Sequence, residues 1–536
     1  MRKKVSKFIA VLFILATTLG GAVSGFAAAP DTGNLHIHKY WVDNDNPHPS
    51  NANDGTVQNG ITNPPVSGVG FDVYKIGDLE TIDGTSADAE KKEQHAVPQG
   101  GDGWTYSKNA AGKLEVSDGN TNYIYTLGEN KNDGNGVTSA TGELTFTDLS
   151  KGYYFVEENL TYGTPKVDGK EVDISSKVKP FIVAVPMTNP SGNGWLEDVY
   201  VYPKNEGLNP EKKPEVPSVN VGDEVKWSVT ANIPTDFSDY KTFRVVDELD
   251  EKLNFVTDSV EVFGTKADGT SIVETLDGTN APVDFKVTAT AANPPTAKEK
   301  IVIELTPEGI AKLANNANAV KIRIDFKTKV NSKINDVEKN EVTNTATIEY
   351  ENTTTPDGEK ETPPTPPTKV NTGKITIKKQ DQDGAPLGGA TFKLYYLESS
   401  DKYYIYKNAA NEIKAVKDEE NPQIPAGYSL YEVTSDDTTG LATFAGLKTH
   451  KDETTAMEYY VEETKAPSGY NLLQDPVKVS FADEDTNHVV TKEILNKKGF
   501  TLPKTGGIGT MILVVIGIVL IGLAIILSMN KKKKAV

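Results

Sequence analysis

The chain has 536 residues, enough for three or four domains, with no cysteine and a formal net charge of −19. So acidic a surface disfavours nucleic acid and anionic lipid as partners. Without cysteine there can be no disulfide, so any covalent locking of the core must come from other chemistry.

Glycine, proline and Thr/Asn-rich punctuation, with few long helical periodicities, points to an all-β chain of short strands. Residues 1–29 read as a signal peptide: Arg2, Lys3, Lys4 and Lys7 are its basic start, 8–19 its apolar run, and Ala27-Ala-Ala29 its small-residue exit.

The N-terminal module, 30–205, opens with Leu35-His-Ile-His-Lys39, in which Leu35, Ile37 and Lys39 share one face. The Gly/Asn/Asp-rich region 81–135 has weak periodicity and reads as long loops with room for a short helix. Strands follow at Leu144-Thr-Phe, Tyr153-Tyr-Phe-Val-Glu-Glu158 and Phe181-Ile-Val-Ala-Val. The module closes on Trp195-Leu-Glu-Asp-Val-Tyr-Val-Tyr-Pro-Lys-Asn205. Val199 and Val201 alternate with Tyr200 and Tyr202, so Asn205 continues the inward face and Lys204 the outward one. Pro203 cannot donate to a ladder, which predicts an edge strand with Lys204 presented to solvent or to another protein.

The middle module, 206–360, carries the short alternating strands of an immunoglobulin-like sandwich, beginning at Val221-Gly-Asp-Glu-Val-Lys-Trp, with one helical candidate at 308–315. Asn344 shares a face with Val342, Ala346, Ile348 and Tyr350, and Asp247 shares one with Phe243 and Val245. Residues 361–368, Thr/Pro-rich, read as a stiff polyproline linker.

In the C-terminal module, 369–499, Lys379 falls on the face of Ile375 and Ile377, Glu463 on that of Tyr459 and Val461, and Asn496 on that of Ile494. Burial should favour the neutral amine of Lys379 and the protonated carboxyl of Glu463. An uncharged amine, an asparagine amide and a carboxyl group in one apolar core are the ingredients of an isopeptide bond. Lys379 attacks the Asn496 side-chain carbon while Glu463 polarises the amide and carries protons.

Leu502-Pro503-Lys504-Thr505-Gly506 precedes an apolar stretch, 507–530, long enough to cross a bilayer as a helix. The basic tail 531–536 holds that end in the cytoplasm. Loss of both ends leaves 48 basic residues against 75 acidic ones, a net of −27.

The stretch W-x-x-x-V-x-V-Y-P-K resembles the pilin motif of major (backbone) pilins built by sortases in Gram-positive bacteria, and L-P-x-T-G resembles their cell-wall sorting signal. Tyr459-Tyr-Val-Glu-Glu-Thr-Lys-Ala-Pro-Ser-Gly-Tyr470 is similar to the E box of collagen-adhesin B-type domains, with Val461 in place of leucine. The resemblance carries the catalytic glutamate onto Glu463, the opening-strand lysine onto Lys379 and the acceptor onto Asn496. Tyr154-x-Val156-x-Glu158 matches only the start of an E box, which puts Glu158 with Lys39 and, by parity, Asn205. The middle module resembles the collagen-adhesin A-type pattern, in which Asp247 serves with Asn344 and with Lys212 or Lys213; Lys212 shares parity with Val216.

The resemblance implies tandem collagen-adhesin A- and B-type sandwiches and a substrate rather than an enzyme, its only chemistry being internal cross-linking. A sortase cysteine attacks the Thr505 carbonyl, releases Gly506 onward and passes Thr505 to Lys204 of the next copy. The implied partners are pilus-specific and housekeeping sortases, further copies joined head to tail, minor pilins, peptidoglycan and a host extracellular-matrix ligand. A monomeric wall-anchored matrix adhesin, or a minor pilin, would share the sorting signal, but the adhesin would not need Lys204. No cofactor is expected and no metal: His36 and His38 lack a third ligand, and the acidic turns after Asp43 and Asp381 lack the glutamate that closes an EF-hand.

Overall fold

The computed structural model describes residues 28–43, 53–98, 100, 103–192, 194–290, 298–353, 358–499 and 508–532. The expected signal peptide up to residue 27, the Leu502–Gly506 motif and the tail from 533 lie outside the described residues. The chain forms two compact units, Met1–Asn371 and Thr372–Val536, and the first holds two sandwiches, each with its own core.

In the first sandwich the opening strand Thr32–His38 lies between Asp198–Val201, to which it is parallel, and the antiparallel Glu143–Ser150. Its alternation sends Leu35 and Ile37 inward, where they pack with Phe71, Tyr154, Val156 and Val199. Burying each such aliphatic side chain contributes about 1.5–3 kcal/mol. The second sheet runs Phe181–Val185, Gly152–Asn159, Gly70–Ile82, Asn122–Asn130, Leu114–Ser117, Thr105–Lys108.

Its last three strands come from the region expected as loops. Leu114, Val116 and Tyr125 alternate inward onto Leu79 and Phe155, a small second core. The turns between them are held by Asn109 and Asp118, whose side chains accept backbone N–H groups two residues on. Two of the three strands have only four residues between polar turns, too few to leave a periodic signal. The short helix of this region is Ala89–Gln94.

The middle sandwich packs the sheet of Glu211–Pro214, Glu224–Asn232 and Lys321–Val330 against that of Glu299–Leu305, Tyr240–Leu249 and Thr347–Asn352. Trp227, Phe243 and Phe326 fill its centre. The helix Pro307–Asn315 is capped by Thr306, which accepts from Gly309 N, and inserts Ile310 and Leu313.

The Thr/Pro-rich stretch is an edge of this sandwich, not a free spacer. Thr362 N–H donates to Ile348 O at 2.9 Å and its hydroxyl accepts from Ile348 N at 3.0 Å. Thr365 does the same with Ala346, at 2.8 and 3.0 Å. A threonine at every third position supplies the pairing that the prolines cannot. Thr368–Asn371 then pairs with Glu341–Asn344, before the division between the units at 371.

The second unit repeats the plan of the first sandwich. Gly373–Gln380 lies between the antiparallel Leu441–Leu447 and the parallel closing strand Val489–Leu495. The facing sheet runs Ile413–Lys417, Asp401–Lys407, Thr391–Glu398, Glu458–Lys465, Val477–Ser480. A parallel pairing of first and last strands brings their C-terminal ends side by side, which is where the lysine and asparagine sit. The last helix, Ile508–Lys532, has 25 residues, about 37 Å at 1.5 Å per residue. Among the described residues no helix is long and apolar enough to cross a membrane.

Candidate cross-linking and assembly sites

Lys39 stands in the one-residue gap between Thr32–His38 and Tyr40–Val42, with no exposed surface. Parallel pairing of Tyr40–Val42 with Lys204–Glu206 sets Asn205 opposite Trp41, also without exposed surface. Glu158 reaches both from the facing sheet: Lys39 Nζ donates to its Oε2 at 3.1 Å, and Asn205 Nδ2 donates to the same oxygen at 3.1 Å. Two groups from a distant loop complete the site. Val178 N–H donates to Glu158 Oε2 at 2.9 Å, and Ser176 O accepts from Asn205 Nδ2 at 3.2 Å. Burial pushes the Lys39 amine below its ordinary value, against the opposing pull of Glu158, and the charge of Lys204 lowers it further.

In the middle sandwich Lys212 is the buried lysine and Lys213 is exposed, because the strand Glu211–Pro214 turns alternate residues inward. Lys212 Nζ donates to Asp247 Oδ2 and, at 3.2 Å, to Thr345 O, and lies over the rings of Trp227 and Phe326. Asn344 Nδ2 donates to Asp247 Oδ2 at 3.4 Å. Burial pushes the Lys212 amine down to about 8 and raises the Asp247 carboxyl, each opposed by the attraction of the other. Both shifts favour the neutral pair, in which the amine carries a free lone pair.

In the third site Lys379 Nζ donates to Asn496 Oδ1 and to Ile494 O at 3.3 Å, and lies 3.5 Å from Glu463 Oε1. Asn496 Nδ2 donates to both oxygens of Glu463, at 3.0 and 2.9 Å, and to Asn471 O at 3.0 Å. Leu473 N–H donates to Glu463 Oε2 at 2.9 Å. Burial lowers the Lys379 amine and Glu463 opposes it. Every lysine, acid and asparagine expected at these sites is therefore brought together. The backbone groups of Ser176, Val178, Asn471 and Leu473 escaped the sequence reading, which follows side-chain types and not peptide groups.

The sites differ in what is left unpaired. Glu158 Oε1, Asn205 Oδ1, Asp247 Oδ1 and Asn344 Oδ1 are buried without a hydrogen-bond partner, whereas Glu463 and Asn496 are fully engaged. A buried acceptor of this kind costs about 1–3 kcal/mol. A proton on the carboxyl converts one such acceptor into a donor.

Lys204 lies on the less buried side of the alternation and Asn205 on the buried side. It is half-buried, and burial holds its amine below the ordinary lysine value. The reason is the break at Tyr202-Pro203, after which the chain resumes pairing with Tyr40–Val42, Tyr40 N donating to Pro203 O at 3.1 Å. Tyr202 is itself buried, and its hydroxyl accepts from Gln58 N at 2.8 Å. The edge position of Asp198–Val201 agrees with the proline argument. Thr505, Gly506 and the rest of the sorting motif lie outside the described residues.

His36 lies 3.1 Å from Asp198 and stacks on Tyr200, and His38 lies 3.7 Å from Glu143. Asp381 accepts from Asp383 N and Ala385 N, as a turn residue does. No group of three or more His, Cys, Asp or Glu among the described residues could hold a metal.

Residues 30–206 match the Gram-positive pilin subunit D1 N-terminal domain, 373–498 a prealbumin-like fold domain, and 494–536 the LPXTG cell wall anchor motif. The fimbrial subunit type 2 of Actinomyces naeslundii is 28% identical over 531 residues, covering 92% of this chain and 88% of its own. The fimbrial subunit type 1 of Actinomyces viscosus is 27% identical over 439 residues, covering 74% and 76%. Among solved structures, the full-length major pilin SpaD from Corynebacterium diphtheriae is similar in fold. Its TM-score is 0.52 and its identity 24%, over 88% of this chain and 98% of that one.

Proposed function

We propose, on the premise that this chain is a Gram-positive pilin subunit held at the cell surface by an LPXTG cell-wall anchor, that it is a shaft subunit polymerised head to tail through Lys204 and Thr505. The observation that carries this reading is Lys204 itself. It lies in the closing segment of the first sandwich, next to the buried Asn205, with an amine that burial shifts toward the neutral, nucleophilic form. A sortase thioester at Thr505 would pass to that amine, the thiolate leaving as the new amide forms. Such a contact is heterologous and does not close, so it yields a filament. Minor pilins, a housekeeping sortase that attaches the base to peptidoglycan, and a host-matrix ligand complete the proposed set of partners.

The three buried trios are the proposed sites of isopeptide bonds, Lys39–Asn205, Lys212–Asn344 and Lys379–Asn496. The neutral amine attacks the asparagine Cγ, a C–N bond forms, and the bond to Nδ2 breaks. The proton lost by Nζ is relayed through Glu158, Asp247 or Glu463 to the departing ammonia. Each bond would tie the first strand of a module to its last, so that tension bypasses the domain between them.

The test of assembly is Lys204→Arg, which keeps the charge but remains protonated. The substituted chain should fold and reach the wall but give no boiling-resistant high-mass ladder beside its sortase. A full ladder would move the acceptor to another lysine. No ladder from the unsubstituted chain would make it a monomeric adhesin.

A further inference from the structure

We infer that residues 173–179 are a positioning strap for the Lys39–Asn205 reaction, seated by the middle sandwich, with Ser176 as the residue that links the two. The inference rests on the reading that this bond forms.

Ser176 faces two ways. Its backbone carbonyl accepts from Asn205 Nδ2 at 3.2 Å, and its hydroxyl donates to Asp236 of the middle sandwich at 2.6 Å. Two residues on, Val178 N–H holds Glu158. The rest of the strap is pinned to the same neighbour. Tyr350 donates to Asp173 at 3.0 Å, Asn352 Nδ2 to Ser175 O at 2.8 Å, and Lys179 pairs with Asp239 at 3.0 Å. Glu206 completes the joint: its backbone pairs with that of Ser176, while its carboxylate accepts from Thr235 N at 2.6 Å and Thr235 Oγ1 at 2.9 Å.

The strap itself has no regular structure beyond the Ser176–Glu206 bridge. Its conformation is therefore set by what it docks on. In the second unit the same two backbone contacts, an acceptor for the asparagine and a donor for the glutamate, come from Asn471 and Leu473. There the loop is tied to its own module, Asn471 N donating to Lys497 O and Tyr470 N to Pro467 O. The first sandwich has the same tie, Ser176 N donating to Glu206 O at 3.2 Å with Ile174 in its own core, and the contacts with the middle sandwich are added to it.

Ser176→Ala removes the hydroxyl, Ser176→Thr keeps it, and Asn352→Leu removes the donor to Ser175 O by a change made in the middle sandwich. Each would be made in the whole exported chain. The fraction of N-terminal, middle and C-terminal peptide pairs that have lost ammonia would be followed by mass at intervals after synthesis. Ser176→Ala and Asn352→Leu should slow the N-terminal bond by ten- to a hundredfold, the scale expected when reacting groups lose about 1 Å of alignment. The other two bonds should form on time, which also reports that those modules are folded. Ser176→Thr should restore the N-terminal rate. Both variants cross-linking at the unsubstituted rate would overturn the strap. An unsubstituted chain that never loses ammonia from its N-terminal pair would overturn the bond itself.

Discussion

In the second unit Leu473 donates to Glu463 from ten residues further along the chain, while in the first sandwich Val178 donates to Glu158 from twenty. The two acids hold corresponding posts, facing a parallel pair of first and last strands that bring a lysine and an asparagine together. The shorter loop follows Tyr459–Tyr470, the stretch that resembles an E box, and folds back on its own module. The longer one lacks the Thr-x-Ala-Pro turn and is pinned both to its own closing strand and to another domain. The same reaction geometry can thus be local property or shared property. The structural difference is about ten residues of loop and a set of polar contacts across a joint.

Removing an acid should separate the two most strongly. Glu463→Ala should leave Lys379 and Asn496 unlinked, so that its ectodomain falls short of its own sequence mass by one ammonia fewer than the unsubstituted chain does. It should cost the second unit the ~4–5 kcal/mol expected for closing a loop of over a hundred residues. Glu158→Ala should do the same to the first sandwich and leave the second unit unchanged. Loss of both bonds from either single variant would show that the modules are coupled in a way the comparison does not allow.

A smaller difference should appear with pH. Asp236, at the joint, is pushed up to about 6, first by burial, with Glu206 and Asp239 adding repulsion and Ser176 opposing it. Lys179, paired with Asp239, and the Tyr240 hydroxyl, 3.3 Å from that of Ser176, are the other ionisable groups there. A carboxyl whose folded value lies above its ordinary 3.8 binds its proton more tightly when docked. Its contribution to docking is therefore greatest below about pH 4, is lost as pH rises toward 6, and is flat above that. Asp236→Asn should remove at most about 3 kcal/mol of this pH dependence, the remainder belonging to Asp173, which burial also raises. Chemical denaturation of the first unit at pH 4 and pH 7 checks this, with the second unit as the control. An identical slope in variant and unsubstituted chain would remove Asp236 from the joint.

Steric tolerance should distinguish the loops more finely. A Cβ on Gly207 would meet Asp173 O and Trp41 Cη2, both at 2.5 Å, where strap and closing strand cross. Gly207→Ala should cost about 1–3 kcal/mol of first-unit stability. A Cβ on Gly499 would meet the side-chain end of Asn471 at 3.1 Å and Gly469 O at an ordinary 3.6 Å, and Gly499→Ala should stay within about 0.5 kcal/mol. Equal costs would mean that the joint is no tighter than the local loop.

Much of each trio was legible because strands have a period of two and burial follows parity. Once Leu35 and Ile37, or Ile375 and Ile377, are read as core, the lysine two residues on must enter it. Asn205 and Asn496 followed in the same way, and both are buried. The four-residue strands at Thr105–Lys108 and Leu114–Ser117 were not legible, since so few residues between polar turns carry no period. Parity failed at Tyr202, which shares the face of Tyr200 yet is buried, because the Tyr202-Pro203 break lets the chain change its pairing partner.

The sequence by itself determined which side chains enter each core, and with them the chemistry available there, since both are set by local alternation and residue type. Only the tertiary structure decided that Lys212 rather than Lys213 faces Asp247, that the Thr/Pro stretch is an edge, and that a neighbouring sandwich holds the strap at Glu158. Those outcomes depend on backbone groups and on contacts between residues far apart in the chain. Neither leaves a pattern in the order of side chains.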